Sequence, residues 1–202
     1  MKYPNFNEER KLIKKGCKVV IGLDEAGRGS LAGPVVACAF SFSMVEVGPR
    51  PWVFIKDSKQ LSAKKREEIY NVLVNHPDIR WGIGKVSEKV IDKINILEAT
   101  KLAMKKAVKN LGSADFLLID GNFSIDSDIP QKSIIKGDQK VLSCSAASII
   151  AKVYRDRIMV RYHKKYPQYA FNKHKGYGTY LHRQLIKRHG LCGIHRKTFK
   201  TT

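Results

Sequence analysis

Four acidic residues in this chain of 202 residues lie where a short apolar segment ends. The segments are residues 19–23, 116–119 and 133–137, and the acids are Asp24, Glu25, Asp120 and Asp138. An ionised carboxylate at the end of a buried strand is costly unless it has an ion partner, a metal ion or a proton. One such acid is an ordinary turn residue, but three segments that end this way, in a chain with 18 Asp+Glu, favour a common cation site.

The chemistry that these acids could support is phosphodiester hydrolysis. Carboxylate oxygens are hard ligands, which select magnesium or manganese over zinc. Two such ions about 4 Å apart can activate a water nucleophile, neutralise charge at phosphorus and stabilise a leaving alkoxide. The acid set therefore predicts a site for divalent metal ions.

The residues that follow the first two acids could bring the backbone close to a ligand. Gly27 and Gly29 flank Arg28, and glycine allows the chain to turn sharply and to approach a ligand closely. The sequence therefore places a carboxylate pair beside an exposed backbone loop that carries one guanidinium.

The net charge indicates a polyanionic partner. The chain has 38 Lys+Arg against 18 Asp+Glu, a formal charge of +20, and a pI of about 9.9. Residues 152–202 contain fourteen Lys/Arg and one acid, Asp156, with aromatic rings interleaved among the cations. Nucleic acid fits this composition, because cations contact phosphates and flat rings contact sugars and bases.

Several classes of protein are disfavoured. The amino terminus lacks the apolar core of a signal peptide, and no apolar run approaches membrane-spanning length, so we expect a cytoplasmic protein without membrane contact. The four cysteines have no zinc-type spacing and are expected to be reduced thiols. The six histidines also lack metal-ligand spacing and are predicted to be surface residues.

The hydrophobic pattern predicts an α/β domain with a mixed central sheet. Strands are expected at 19–23, 35–42, 52–55, 80–86 and 116–119, the first three as an antiparallel meander. Helices are expected at 7–15, after an N-cap at Ser62, in two pieces up to Gly112, and at 143–165 and 179–189. The helix after Ser62 should bury Ile69, Val72 and Leu73. If the strands at 19–23 and 116–119 are neighbours, Asp24 and Asp120 meet at one edge of the sheet.

Four motifs resemble those of ribonuclease HII. They are Asp-Glu-Ala-Gly-Arg-Gly with Leu-Ala-Gly-Pro at 24–34, Asp-Ser-Lys-Gln-Leu-Ser at 57–62, the Lys-Gly-Asp segment at 136–156, and Lys-Gly-Tyr-Gly-Thr at 175–179. The resemblance implies a ribonuclease H-like fold, with a mixed sheet flanked by helices and a helical carboxyl-terminal part. It implies one catalytic domain over 1–202, in which 167–202 is a basic substrate-binding segment.

The resemblance also implies an activity. A ribonuclease H cleaves the phosphodiester 5′ of a ribonucleotide, in RNA–DNA hybrids or in duplex DNA that contains ribonucleotides, and leaves 3′-hydroxyl and 5′-phosphate ends. Such an enzyme acts in ribonucleotide excision repair. We expect it to act as a monomer with two Mg²⁺ or Mn²⁺ ions.

The same comparison assigns roles to residues. Asp24, Glu25, Asp120 and Asp138 would be catalytic and would bind the metal. The backbone of Gly27, Arg28 and Gly29 would read the 2′-hydroxyl, which both donates and accepts hydrogen bonds. Tyr177 would stack on the neighbouring sugar. Lys59, Ser148 and Lys152 would contact the substrate, although Lys152 is also spaced for an ion pair with Asp156.

Two alternatives remain open from the sequence. One is another nuclease of the same fold, such as ribonuclease HIII or a junction-resolving nuclease. The other is a basic nucleic-acid-binding protein without catalysis, which would not need four acids at the ends of apolar segments. The segment Leu191-Cys-Gly lacks the proline expected from the resemblance, so the conformation of the tail is also open.

Overall fold

A mixed five-stranded sheet forms the centre of the computed structural model, which describes residues 4–42, 55 and 61–201. The strands are β1 (Val20–Ala26), β2 (Val35–Phe42), β3 (Ile79–Val86), β4 (Phe116–Asp120) and β5 (Gln131–Ile134). The helices are α1 (Asn7–Lys14), α2 (Ala63–Asn75), α3 (Glu88–Leu111), α4 (Gly137–Lys140), α5 (Leu142–Lys165), α6 (Phe171–His174) and α7 (Tyr180–His189). The predicted α/β fold with a mixed sheet flanked by helices is confirmed.

The strand order is β3-β2-β1-β4-β5. β1 is antiparallel to β2, and β2 to β3, whereas β1, β4 and β5 run parallel. The third strand of the predicted meander, at 52–55, lies outside the described residues except for Ile55, which is buried and in no strand. Within the described chain, β3 takes the place beside β2.

The pairing of β1 with β4 determines where two acids lie. Leu23 is opposite Ile119 in the parallel register, so the next residues, Asp24 within β1 and Asp120 at the last position of β4, lie side by side at the same end of the two strands. Both strands are apolar up to that point because helices cover both faces of the sheet, which is typical of parallel strands. The expected meeting of Asp24 and Asp120 is confirmed.

Helices pack on both faces of the sheet. Ile21 and Leu23 belong to the cluster that includes Met104 of α3, whereas Phe40 belongs to the cluster that includes Ile150 of α5. α5 approaches β1 very closely at Gly22, where a Cβ atom would lie 2.4 Å from the backbone of Ser143. Glycine at this position therefore lets α5 lie directly against β1.

The helix boundaries largely follow the sequence signals. Ser62 caps α2 by accepting a hydrogen bond from the N–H of Lys65 at 3.2 Å. α3 has the predicted break, because Asn95 has a φ of 65°, and its C-cap is Gly112. The predicted apolar face of α2 is wrong in one residue: Val72 is 51% exposed, and Tyr70 is buried instead.

Two further expectations are corrected. Asp138 does not follow a strand directly, because β5 ends at Ile134 and the chain turns through Lys136, at a φ of 58°, into α4. Three of the histidines predicted at the surface, His174, His182 and His195, are buried. They lie in the carboxyl-terminal part, where aromatic and histidine rings pack against one another.

The tail packs against the loop that follows β1. Leu31 N donates to the carbonyl of Gly176 at 2.8 Å, and Arg196 N donates to the carbonyl of Leu31 at 2.9 Å. Gly33 N donates to Ile194 O at 2.8 Å. The tail is therefore joined to the loop by backbone hydrogen bonds without the expected proline. In the described chain, no helix is both long and apolar enough to cross a membrane.

Candidate active site

Three carboxylates converge at the edge of the sheet where β1 and β4 end. Asp24, Asp120 and Asp138 each offer an oxygen, and these oxygens all lie within 4.8 Å of one another. Asp24 is supplied by β1, Asp120 by β4 and Asp138 by α4. Asp24 and Asp138 are buried, and Asp120 is partly exposed. Among the described residues, these acids are the one group of this kind.

Local hydrogen bonds orient the carboxylates. The Glu25 N–H donates to Asp24 Oδ1 at 2.6 Å, and the Gly137 N–H donates to Asp120 Oδ1 at 2.8 Å. The second bond joins β4 to the start of α4, the helix that carries Asp138. The short helix therefore brings the third acid to the strand ends.

The electrostatics of the cluster favour a bound cation. Burial raises the pKa of Asp24 well above its usual value, and repulsion from Glu25 and Asp120 raises it further. Hydrogen bonds from the Glu25 amide and the Ser148 side chain partly offset this effect. A divalent cation would favour the charged carboxylates, and an all-oxygen ligand set fits a hard ion such as Mg²⁺ or Mn²⁺.

A cavity of about 260 Å³ lies beside the acids. Of the residues predicted for the site, nine line it: Asp24, Glu25, Gly27, Arg28, Gly29, Asp120, Ser148, Lys152 and Tyr177. Asp138 contributes through its carboxylate oxygen and does not line the cavity. Lys59 lies outside the described residues.

Cations and one ring border the cavity. Arg28 Nη1 lies 3.7 Å from Glu25 Oε1. Lys152 Nζ lies 2.7 Å from Asp156 Oδ1, so the predicted i,i+4 ion pair is present, and 5.2 Å from the centre of the Tyr177 ring. The Tyr177 ring is thus held between α5 and the cavity.

Besides Ala26, sequence reasoning missed one residue of the cavity wall, Arg66. It lies on the first turn of α2, where its Nη2 donates to the carbonyl of Leu61 at 2.8 Å. The signal available in the sequence was its place just after the 57–62 motif, in a helix that begins beside a site segment.

A mixed sheet whose adjacent parallel strands carry Asp24 and Asp120 at the same end, beside a basic loop and a basic helix, is typical of ribonuclease H-like nucleases. Comparison with known proteins identifies the family within that class. A family model described as Ribonuclease HII matches residues 21–202, so the chain belongs to the ribonuclease HII family.

Individual relatives agree with the family match. The chain is 50% identical over 192 residues to the ribonuclease HII of Chlamydia muridarum, covering 95% of this chain and 86% of that protein. It is similar to the RNase HII solved in a complex with PCNA from Archaeoglobus fulgidus, with a TM-score of 0.76 and 25% identity, covering 90% of this chain and 95% of that one. It is also similar to ribonuclease H2 from Pyrococcus horikoshii, with a TM-score of 0.72 and 26% identity, covering 91% and 94%.

These matches establish the type of activity. The chain is an endoribonuclease of the ribonuclease H type, a hydrolase that acts on nucleic acid. The alternative of a nucleic-acid-binding protein without catalysis is therefore excluded.

Proposed function

We propose that this protein hydrolyses the phosphodiester on the 5′ side of ribonucleotides, both in RNA–DNA hybrids and at ribonucleotides embedded in duplex DNA. The products would carry 3′-hydroxyl and 5′-phosphate ends. The observation that carries the proposal is the convergence of Asp24, Asp120 and Asp138, with oxygens within 4.8 Å of one another, beside a cavity bordered by cations. This cleavage would start ribonucleotide excision repair, and the protein would act in the cytoplasm.

The acids would hold two Mg²⁺ or Mn²⁺ ions, with Glu25 as a fourth carboxylate. Such ions supply an activated water and neutralise charge on the phosphate and the leaving oxygen. The protein residues hold the acids in place: the Gly137 amide orients Asp120, and the Glu25 amide and Ser148 orient Asp24. Lys152 and Arg66, at the same cavity, would attract the phosphate.

The backbone at residues 27–29 and the ring of Tyr177 would select the ribose. Both line the cavity that contains the acids, so one nucleotide could contact both. The 2′-hydroxyl can accept a hydrogen bond from a backbone N–H and donate to a backbone carbonyl. The Tyr177 ring would pack on the adjacent sugar.

A basic groove between α2 and α5 adjoins the cavity at Arg66, which lines both. This groove has a volume of about 460 Å³, and its cations are Arg66, Arg157, Arg161, Lys164 and Lys175. Glu67 and Asp156 are its acids, so cations predominate. We propose that this groove binds the backbone of the duplex beyond the cleaved bond. We also propose that residues 167–202 bind substrate as part of a single catalytic domain. The protein would act as a monomer.

A cleavage assay with mapped ends tests the proposal. The substrates are a duplex DNA with one ribonucleotide, an RNA–DNA hybrid and an all-DNA duplex, each with Mg²⁺ or Mn²⁺. We expect cleavage 5′ of the single ribonucleotide and within the RNA strand, and no cleavage of the all-DNA duplex. Products with 5′-hydroxyl ends, or an intact single-ribonucleotide duplex, would contradict the proposal.

A further inference from the structure

Two arginines are completely buried behind the loop that follows β1. Arg155 lies on α5 and Arg196 in the carboxyl-terminal tail, and each is 0% exposed. Neither makes an ion pair with a carboxylate among the described residues. Burial of an unpaired guanidinium is costly, so the structure must compensate it in another way.

Backbone carbonyls provide that compensation. Arg196 donates to the carbonyls of Gly27, Arg28 and Gly33, at 2.7 to 3.0 Å. Arg155 donates to the carbonyls of Ala32 and Pro34, at 3.0 and 2.9 Å, and to that of Lys175 at 2.9 Å. Between them, the two guanidiniums thus bind five carbonyls of the segment 27–34.

The direction of these bonds orients the opposite side of the loop. In a trans peptide the C=O and the N–H point in opposite directions, and the chain has no cis peptide among its described residues. The carbonyls of Gly27 and Arg28 point toward Arg196, so the N–H groups of Arg28 and Gly29 point away from it. Residues 27–29 line the cavity beside the acids, which Arg196 does not.

We propose that Arg155 and Arg196 are positioning residues for ribose recognition, which hold the carbonyls of residues 27–34 from behind so that the Arg28 and Gly29 amides face the substrate. This inference rests on the proposed function, in which those amides contact the 2′-hydroxyl. Arg155 also donates to Lys175 O and lies 5.4 Å from the centre of the Tyr177 ring. Arg155 thus contacts both the loop that would read the 2′-hydroxyl and the tyrosine that would pack on the adjacent sugar.

The space behind the loop is shaped for these side chains. Gly27 has a φ of +92°, and a Cβ there would lie 1.9 Å from Arg155 Nε. Only glycine therefore leaves room for the Arg155 side chain at this position.

The charge of the two arginines also matters for the site. Burial, followed by repulsion from Arg155, lowers the pKa of Arg196 to about 9, so the guanidinium is still charged at neutral pH. Two positive charges beneath the loop also favour a polyanion on its other side. A lysine would retain the charge but not the fork that binds several carbonyls at once.

The test compares binding preference with stability. The variants are Arg196→Met, Arg196→Lys and Arg155→Lys. The matched control is Arg80→Met, because Arg80 also donates to a carbonyl, that of Leu111 at 2.9 Å, but lies on β3 away from the site. Dissociation constants are measured in Ca²⁺ for a duplex with one ribonucleotide and for the all-DNA duplex of the same sequence. Melting temperatures are measured in parallel.

We expect the dissociation constant of the all-DNA duplex, divided by that of the ribonucleotide duplex, to fall by up to about tenfold in Arg196→Met, which is the upper end of the loss expected for one hydrogen bond. Arg196→Lys and Arg155→Lys should lower it less, and Arg80→Met should leave it at the wild-type value. If Arg196→Met does not fold, the two lysine variants carry the same comparison.

The outcomes separate this inference from the proposed function. A wild-type protein with no preference for the ribonucleotide duplex would overturn ribose reading at the 27–29 loop, and this inference with it. A wild-type preference that persists in the arginine variants, with lowered melting temperatures, would leave the proposed function standing. That result would show that the arginines only stabilise the fold.

Discussion

His195 and His182 share a hydrogen bond between their Nε2 atoms, which lie 3.1 Å apart in the interior of the carboxyl-terminal part. The Cys192 N–H donates to His195 Nδ1 at 2.8 Å, so His195 carries its proton on Nε2 and donates it to His182. His182 therefore carries its proton on Nδ1, which lies 3.0 Å from the Tyr177 carbonyl. This arrangement fits two neutral rings, because a second proton on His182 Nε2 would oppose the bond from His195, and one on His195 Nδ1 would oppose the bond from Cys192.

The burial of these two histidines leads us to expect that the protein loses stability in acid. Burial, followed by repulsion from His174, lowers the pKa of His182 from 6.5 to about 4, and burial also lowers that of His195. Below pH 6.5 the unfolded chain binds protons that the folded chain does not, so the free energy of unfolding should fall as the pH drops from about 6.5 to about 4. We expect His182 to account for roughly 1–3 kcal/mol of this loss.

Urea unfolding at pH 7.5 and pH 4.5 measures the effect. His182→Asn should lower stability at pH 7.5 but flatten the dependence on pH, whereas His189→Asn, at an exposed ring, should leave that dependence unchanged. Parallel profiles for wild type and His182→Asn would assign the acid sensitivity to other groups.

Removal of a single carboxylate from the cluster should abolish cleavage without unfolding the protein. Asp24→Asn and Asp138→Asn each remove a proposed metal ligand and also remove repulsion, so the melting temperature in EDTA should hold or rise slightly. Asp126→Asn is the control, because Asp126 is exposed and pairs with Lys105 at a distance from the cluster. Activity above about a tenth of wild type in either variant would remove that residue from the site.

Salt dependence should locate the duplex backbone in the basic groove. Arg161→Gln combined with Lys164→Gln removes two cations of the α2–α5 groove. If each contacts a phosphate, the slope of log K against log salt, measured in Ca²⁺, should become shallower by about 0.9 per contact. Lys106→Gln combined with Lys109→Gln, on α3, makes the same change in charge elsewhere. Equal slopes for the two double variants would place the binding surface outside the groove.

Tyr177→Ala should slow cleavage at a single embedded ribonucleotide far more than it weakens binding of the duplex. Cleavage of an RNA–DNA hybrid should suffer less if the ring reads the junction between RNA and DNA. Tyr177→Phe retains the ring and should preserve most of both activities. An equal loss on both substrates, with a lower melting temperature, would mean that Tyr177 is a packing residue.

Two glycines of the 27–29 loop should respond differently to alanine. Gly27 combines a φ of +92° with a clash against buried Arg155, so Gly27→Ala should lower stability, by about 1–3 kcal/mol. Gly29 has no heavy atom within 4 Å of an added Cβ and no positive φ, so Gly29→Ala should leave the melting temperature unchanged. Its methyl group would instead hinder approach of the sugar, which cleavage rates measure. A stability loss at Gly29 equal to that at Gly27 would contradict this assignment.

The sequence predicted the acid cluster because local pattern and chemistry coincide there. An apolar run that stops at an acid is visible in the order of residues, and parallel neighbours then bring Asp24 and Asp120 together. Asp138 was assigned correctly to the cluster but to the wrong local structure, since a turn at Lys136 replaces the strand end. That turn depends on a hydrogen bond from the Gly137 amide to Asp120, a contact between distant segments.

The residues that the sequence did not reveal are polar side chains inside the protein. The carboxyl-terminal quarter has many surface arginines, lysines and histidines. The residues next to Arg155, Arg196 and His182 in the sequence do not indicate that these three side chains are buried. Their burial depends on carbonyls and rings supplied by distant segments. Arg66 was missed for a related reason, because its place on the cavity wall depends on how α2 packs against α5.

The hydrogen bond from Arg196 to Gly27 joins residues that are 169 positions apart in the sequence. During synthesis the 27–29 loop leaves the ribosome well before the arginine that holds its carbonyls, because residue 196 is translated 169 residues after Gly27. β1 can pair with β2 early, but this loop cannot take its final shape until residue 196 has emerged. A nascent chain would therefore contain Asp24, Asp120 and Asp138 before the proposed ribose-reading loop could be held in place, and this recognition would be acquired only after residue 196 has emerged.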